Sequence, residues 1–351
     1  MDRKKSTETE VVDISEDFIN GLAPAVLKKL LQDHSKSTSK TYVPIFWATD
    51  NYKRLGPDYA YDMPIKPELI TGKRGKVVQP RVVKSKAVQA ARSKDMAEVF
   101  TPSWVCNKQN NLVDESWFGR KDVFNIEIDG EDGSHSWETI LVPILFSKEK
   151  DWKSYVCDNR IEITCGEAPY VVSRYDATTG EFIPVKNRIG ILDRKMRVVD
   201  ENTNTKEEWL EWAELAYKST YGFEWQGDNL LLAREALLIS FLDYFNAKFP
   251  NESLEPEILE RMAEIISWNF WQMDGLKCVV PNSCKEVEIR TLDLFSGETI
   301  TKTVCEGCAK NNIRKHNGIY CKIKDWQEID ARSKKLGKIV KFADVLKNHG
   351  G

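Results

Sequence analysis

The stretch from residue 221 to residue 247 constrains the fold most strongly. A short apolar segment, YGFE at 221–224, ends on the acidic residue Glu224, and a helical run over 229–247 follows almost at once. This run is apolar nearly all round, so the helix is expected to be buried. A strand that ends on an acid just before a helix is typical of doubly wound α/β folds, where that acid holds a ribose. The stretch therefore predicts an α/β fold with a nucleotide-type site near Glu224.

Three other short motifs accompany YGFE in a fixed order. AEVFTP at 97–102 and EITCGEA at 162–168 precede it, and WQMDGL at 271–276 follows it. A glycine after a strand lets the backbone approach a ligand closely. An acid at the end of the next strand can accept hydrogen bonds from ribose hydroxyls, and Asp274 after a third strand can accept from an adenine amine. Together the motifs predict a pocket for an adenosine-containing ligand.

The order and wording of these motifs resemble the S-adenosylmethionine pocket of N6-adenine DNA methyltransferases. The resemblance is to the modification subunits of restriction–modification systems, and the whole chain is similar to short bacterial and phage proteins described as restriction endonuclease subunit M. It implies a Rossmann-like methyltransferase sheet that binds S-adenosylmethionine and DNA, with a restriction or specificity subunit as a further partner. The cofactor-binding residues that it implies are Phe100, Thr101, Thr164, Cys165, Gly166, Glu224 and Asp274.

The chain departs from this family in several places. Ala168 replaces the second glycine of the loop, and Gly166 lies 58 residues before Glu224, which requires an insertion that we place at 176–200. The family's Asn/Asp-Pro-Pro-aromatic motif grips the flipped adenine. This sequence has no Pro-Pro pair, and its nearest segment is PNS at 281–283. The catalytic residues are therefore unassigned.

Two other functions remain open. One is a catalytically inactive methyltransferase fold that binds DNA or a partner subunit, which the missing Pro-Pro pair favours. The other is a metal-dependent nuclease, in which Asp193, Arg194 and Lys195 would act with an acid such as Asp176.

The last third of the chain is rich in cysteine. Cys305 and Cys308 form a C-x₂-C knuckle, and thiolates at such spacing are typical ligands of a structural Zn²⁺. We predict Cys284, Cys305, Cys308 and Cys321 as the ligands, with Cys278 and His316 in reserve. Four unligated thiols are the alternative, because reduced cysteines are common in proteins of the cytoplasm.

The motifs divide the chain into four parts. These are a helical and basic-arm region at 1–95, a methyltransferase-like core at 96–277, a zinc-binding insertion at 278–325 and a basic tail at 326–351. The basic arm, residues 73–94, carries eight Lys or Arg and no acid, so it is either a solvated connection or a phosphate contact. Hairpins are expected at 123–146 and 176–200. The first residues lack an apolar signal core and no long apolar run follows, so we expect a cytoplasmic protein without a membrane span.

Overall fold

The computed structural model of the chain describes residues 16–96, 101–293, 297–329 and 336–346. In chain order its helices are α1 (Glu16–Leu22), α2 (Pro24–Leu30), α3 (Lys86–Met96), α4 (Ser103–Phe118), α5 (Trp152–Cys157), α6 (Ile191–Asn202), α7 (Lys206–Lys218), α8 (Gly227–Lys248), α9 (Pro256–Asn269), α10 (Glu306–Lys310) and α11 (Phe342–Val345). Its strands are β1 (Asn125–Asp129), β2 (His135–Thr139), β3 (Arg160–Glu162), β4 (Thr220–Glu224), β5 (Phe270–Gln272), β6 (Val287–Asp293), β7 (Gly297–Thr303), β8 (Lys322–Ile329) and β9 (Leu336–Lys341).

A small parallel sheet lies at the centre. Its strand order is β3-β4-β5, with Glu162 opposite Gly222 and Glu224 opposite Gln272. The other described strands form three separate antiparallel pairs, β1–β2, β6–β7 and β8–β9. The prediction of a mixed α/β fold with parallel strands is confirmed. Because parallel strands end at the same edge, the segments after β3, β4 and β5 meet there.

The two faces of the sheet pack against different cores. Phe270 of β5 lies in the larger core, which the helices α7, α8 and α9 complete, whereas the next residue, Trp271, lies in a smaller core. The smaller core also contains Phe46 and the C-terminal residues Ile323 and Phe342. Alternate residues of a strand point to opposite faces, so both faces of β5 are covered, with Phe270 on one side and Trp271 on the other.

The long helix α8 is buried along most of its length, as its all-round apolar sequence predicts. It also buries Arg234, which is fully inaccessible to solvent. The guanidinium donates to the carbonyls of Leu30 and Gln32 beyond α2, and to those of Ser267 and Phe270 at the end of α9. Arg234 thereby satisfies carbonyl groups that the helix ends leave without partners.

The helix α7 begins at a side-chain cap. Thr205 is its N-cap, and the side chain of Thr205 accepts a hydrogen bond from the Glu208 amide at 3.2 Å. Trp209, Ala213 and Ala216 are buried on one face. Within the described ranges, every helix is too short or too polar to cross a lipid bilayer.

The two predicted hairpins have different outcomes. Residues 123–146 contain the antiparallel pair β1–β2, so the first prediction is confirmed. In 176–200 only a short turn is hairpin-like, with an isolated bridge between Tyr175 and Phe182, and a 3₁₀ turn at Val185–Asn187 and then α6 follow it. A helix forms here instead of a second hairpin strand because Leu192, Met196 and Val199 recur at helical spacing and all three are buried.

The predicted basic tail is partly structured. Residues 322–329 and 336–341 form the antiparallel pair β8–β9, and α11 follows directly. Phe342 and Ala343 are buried in the smaller core. The end of this segment is therefore packed against the sheet, whereas much of the pair β8–β9, including Ile329 and Leu336, is exposed.

Candidate functional site

The loop after β3 has an unusual backbone. Thr164, Gly166 and Ala168 have φ values of 53°, 55° and 63°, in the left-handed region. Glycine adopts this region freely, whereas Thr164 and Ala168 hold it against the steric cost of a Cβ. The position at which Ala168 replaces a glycine of the family pattern thus keeps a glycine-like conformation. Strain of this kind is found mostly at ligand sites and tight turns.

Glu224 at the end of β4 contacts this loop directly. Its Oε2 accepts a hydrogen bond from the Gly166 amide at 2.9 Å, and its Oε1 accepts one from the Gln226 amide at 3.1 Å. Burial raises the pKa of the Glu224 carboxyl, and these backbone donors act in the opposite direction. The side chain therefore joins the ends of β3 and β4 at one point of the sheet edge.

The other predicted cofactor residues lie around the same edge. Cys165 is buried in the larger core, so its side chain points away from solvent, while Thr164 is exposed. The side chain of Thr101 hydrogen-bonds to Tyr170, whose pKa is raised first by burial and further by the nearby Cys106 and Glu162. Phe100 lies outside the described residues. The structure therefore brings Thr101 to the segment that follows β3.

Asp274 follows β5 and is 3% exposed. Its Oδ1 accepts from the Leu276 amide at 3.1 Å, and its Oδ2 lies 3.1 Å from the ammonium of Lys277. These are the contacts of an aspartate in a tight turn before a glycine. Asp274 thus lies beyond the carboxyl end of β5, as predicted, and also stabilises its own turn.

Four side chains of the cysteine-rich segment converge on one point. The sulfurs of Cys284, Cys305 and Cys308 lie 3.6, 3.7 and 3.6 Å from Nδ1 of His316. All four ligand atoms lie within 4.8 Å of one another, so the cluster can hold a metal ion. This finding confirms three of the four predicted ligands as members of one cluster.

Local structure explains how these residues meet. The hairpin β6–β7 pairs Val287 with Thr303, so the chain returns and brings Cys284 next to Cys305. At Gly307 an added Cβ would lie 2.5 Å from the backbone nitrogen of His316, so a larger residue there would separate the knuckle from the histidine. The amides of Cys308 and Asn317 donate to the Cys305 sulfur, an arrangement that stabilises a thiolate.

The fourth member of the cluster differs from the prediction. Cys321 lies in the smaller core, fully buried, and its sulfur is 3.4 Å from the Gln272 carbonyl. The backbone of Cys321 pairs with Cys278, which turns both side chains away from the cluster. His316, on the loop after the knuckle, takes the fourth position. A histidine soon after a C-x₂-C pair is a common ligand pattern, and this spacing is the sequence feature that favours His316 as a ligand.

The residues of the nuclease alternative are not brought together. Asp193 accepts hydrogen bonds from Ser173 and from the start of its own helix, and it is fully buried. Arg194 pairs with Asp114, while the ammonium of Lys195 donates to the Ser219 hydroxyl at 2.7 Å. Each of these three side chains makes its own structural contact with a different partner.

Comparison of the chain with protein-family models, with curated proteins and with solved structures gives no match. The function proposed below therefore depends on the geometry of the chain itself.

Proposed function

We propose that the chain is an S-adenosylmethionine-binding, DNA adenine methyltransferase-like protein of a restriction–modification or phage system. The observation that carries the proposal is the contact between the Gly166 amide and the Glu224 carboxylate, at the carboxyl ends of β3 and β4. In open α/β sheets, ligands bind in the crevice at this edge. The parallel sheet is then the centre of a Rossmann-like methyltransferase core.

The hydrogen bonds of Glu224 leave room for a ribose. A carboxylate offers about four acceptor positions, and the amides of Gly166, Gln226 and Trp225 donate to that of Glu224. The remaining position matches one hydroxyl group of a ribose. The left-handed loop then lies beside the sugar and the methionine part of the cofactor. Asp274 has acceptor capacity left for an adenine amine, next to its contact with Lys277.

The segment nearest to a catalytic motif favours the alternative, a protein that binds DNA or a partner subunit without methylating. Asn282 is exposed in a left-handed turn, with a φ of 54°. The Ser283 hydroxyl accepts from the Ile319 amide, so this turn serves the cysteine-rich segment. A flipped adenine needs a side-chain carbonyl, a backbone carbonyl and an aromatic ring in one pocket. An exposed turn residue offers only part of this set.

The metal that fits the cluster best is Zn²⁺ in a structural role. Zinc–sulfur bonds of about 2.3 Å and zinc–nitrogen bonds of about 2.05 Å at tetrahedral angles place sulfur and nitrogen about 3.6 Å apart. The observed separations of 3.6 to 3.7 Å agree with this value. Three thiolates and one imidazole fill all four positions, which leaves none for a reacting water. Thiol ligands of this kind require a reducing compartment such as the cytoplasm.

Calorimetric titration with S-adenosylmethionine tests the cofactor site. We expect Glu224→Gln to weaken binding by about 1.5–3 kcal/mol, roughly 10- to 150-fold, the scale of hydrogen bonds to a charged group. Glu207→Gln, an exposed acid in the first turn of α7, is the matched control and should bind like the wild type. Equal affinities of wild type and Glu224→Gln, with unchanged melting temperatures, would remove Glu224 from the site.

Transfer of a labelled methyl group to mixed-sequence DNA separates the two versions of the proposal. Binding of the cofactor without transfer selects the inactive methyltransferase fold. Methyl transfer by the wild type that is lost in Glu224→Gln supports the active methyltransferase. Absence of cofactor binding in the wild type contradicts both.

A further inference from the structure

A cleft of about 480 Å³ lies between residues 51–55 and the basic arm, and none of the proposed cofactor residues lines it. Four cationic side chains line it, Arg54, Lys76, Lys84 and Arg92, and its described lining contains no acid. A volume of this size accommodates a small organic ligand. The concentration of one charge in a concave surface attracts anions.

The four cationic side chains of the cleft differ in how deeply they are buried. Arg54 and Lys76 are exposed, whereas Arg92 is 3% exposed and lies 2.9 Å from Asp228 at the start of α8. Burial acts to raise the pKa of Asp228, but Arg92 and Lys84 outweigh it and hold that pKa below its usual value. Asp228 is therefore an anion, and it neutralises one of the four positive charges. Three remain for a ligand.

Two hydrogen-bond donors of the cleft are left without acceptors. The ammonium nitrogen of Lys84 and the side-chain nitrogen Nδ2 of Asn51 are both buried, and neither has a hydrogen-bond partner among the described residues. A buried ammonium without an acceptor carries a large desolvation cost. Ser85 and Gln79 add further polar groups to the lining. The cleft thus requires a ligand that is negatively charged and rich in acceptor atoms.

We infer that this cleft binds the phosphate group of a nucleotide. The phosphate oxygens would accept from Lys84 and Asn51, because phosphate supplies both charge and several acceptors. Apolar side chains of Leu55, Val77 and Val83 form the rest of the wall and suit a sugar and base. The nucleotide is either free or part of a single strand of nucleic acid. Only the second source rests on the proposed function, as the place where DNA phosphate is held.

The probes are inorganic phosphate, thymidine 5′-monophosphate and a five-residue oligothymidylate, titrated into the full-length protein at low salt. Thymine avoids competition at an adenosine pocket. Thymidine itself is titrated as the reference, and we expect the monophosphate to bind at least about tenfold more tightly than thymidine, because the phosphate makes the charged contacts. A further tightening with the oligothymidylate identifies a nucleic-acid strand as the source. Equal affinities identify a free nucleotide.

Lys84→Met removes the buried charge and keeps the length of the side chain. Lys86→Met makes the same change of charge at an exposed position of the same arm that is outside the lining of the cleft. We expect Lys84→Met to weaken binding at least about tenfold and Lys86→Met to leave it nearly unchanged. Phosphate should raise the melting temperature of the wild type and of Lys86→Met, but not of Lys84→Met.

Two results would overturn the inference. One is equal losses in Lys84→Met and Lys86→Met, since diffuse charge would then account for the binding. The other is no binding of any phosphate probe by the wild type. S-adenosylmethionine binding is measured on the same samples, and we expect Lys84→Met to retain it. A protein that binds phosphate but not S-adenosylmethionine would retain this cleft and lose the proposed function.

Discussion

Among single residues, the buried acids Glu16 and Glu235 are the least expected. Glu16 is 1% exposed and Glu235 is fully buried, and neither Glu235 oxygen has a hydrogen-bond partner among the described residues. Burial raises the pKa of Glu16 to about 8 and raises the pKa of Glu235 well above its usual value, to which the nearby Glu16 adds. Helices α1 and α8 thus bring two buried carboxyl groups close together, and burial favours the protonated form of both.

We predict that this pair makes stability depend on pH. A folded-state pKa above the unfolded value contributes stability at low pH, and this stability is lost as the pH rises from about 4.5 towards 8. The double substitution Glu16→Gln and Glu235→Gln should therefore raise the free energy of unfolding at pH 8 by about 1–3 kcal/mol, with little gain at pH 5. Urea unfolding at both pH values measures this, with Glu207→Gln as the control. A gain that is equal at both pH values would contradict the assignment.

At the scale of elements, the cluster of three cysteines and His316 is connected to the loop after β5. The Asp274 amide donates to the Val279 carbonyl, and the Val280 amide donates to the Ile319 carbonyl just beyond His316. Lys277, which pairs with Asp274, is also close enough to Cys284 and Cys308 for their charges to raise its pKa further. Backbone hydrogen bonds thus connect the cluster to the segment at the carboxyl edge of the sheet.

Metal content should distinguish the two candidates for the fourth ligand. We predict about one zinc per chain in the wild type and in Cys321→Ser, and loss of most of it in His316→Ala, because His316, and not Cys321, lies next to the three sulfurs. Elemental analysis after gel filtration measures this. Zinc retained in His316→Ala and lost in Cys321→Ser would restore the ligand set predicted from the sequence.

Removal of the metal should affect the cofactor site as well. Treatment with a chelator is expected to lower the melting temperature and to weaken S-adenosylmethionine binding several-fold, because the Asp274 turn loses its support. The effect should reverse when zinc is added back. Affinity that is unchanged after complete loss of zinc would show that the cluster and the sheet edge are independent.

The elements that the sequence predicts well are those with strong local signals. Strand β4, helix α8 and the pair β1–β2 follow from periodicity, and Cys305 with Cys308 follows from spacing. Helix α6 was missed because a glycine-containing turn precedes it and its apolar residues are spread over several turns. The sequence does not identify His316 as a better candidate than Cys321, because the direction of a side chain depends on tertiary contacts. Here the backbone hydrogen bond from Cys321 to Cys278 turns the Cys321 side chain away from the cluster.

At the scale of the whole molecule, charge limits how the chain can contact DNA. The formal net charge is −3, so contacts must come from local groups of cations. The basic arm is such a group, but Arg92 is already paired with Asp228, and helix α3 fixes part of the arm. The number of phosphates that it can neutralise is therefore small.

We predict DNA binding that is sensitive to salt and only weakly dependent on sequence, with little methyl transfer by the isolated chain. If about three phosphates are contacted, affinity should fall roughly 40-fold between 50 and 200 mM salt. Fluorescence anisotropy with mixed-sequence duplexes measures the slope. A slope near zero would remove DNA as a partner and favour a protein subunit, and robust transfer would reveal a catalytic motif of a different form.

The position of Arg234 also determines when this protein can finish folding during its synthesis. The guanidinium links carbonyls at Leu30 and Gln32 to one at Phe270, which the ribosome adds 238 residues after Gln32. At about 5–20 residues per second, that interval lasts roughly 10–50 s. Over this time the end of α2 lacks the groups that fix it. Helix α2 is thus synthesised long before it can reach its native position, and until then it is a segment that a chaperone would have to shield.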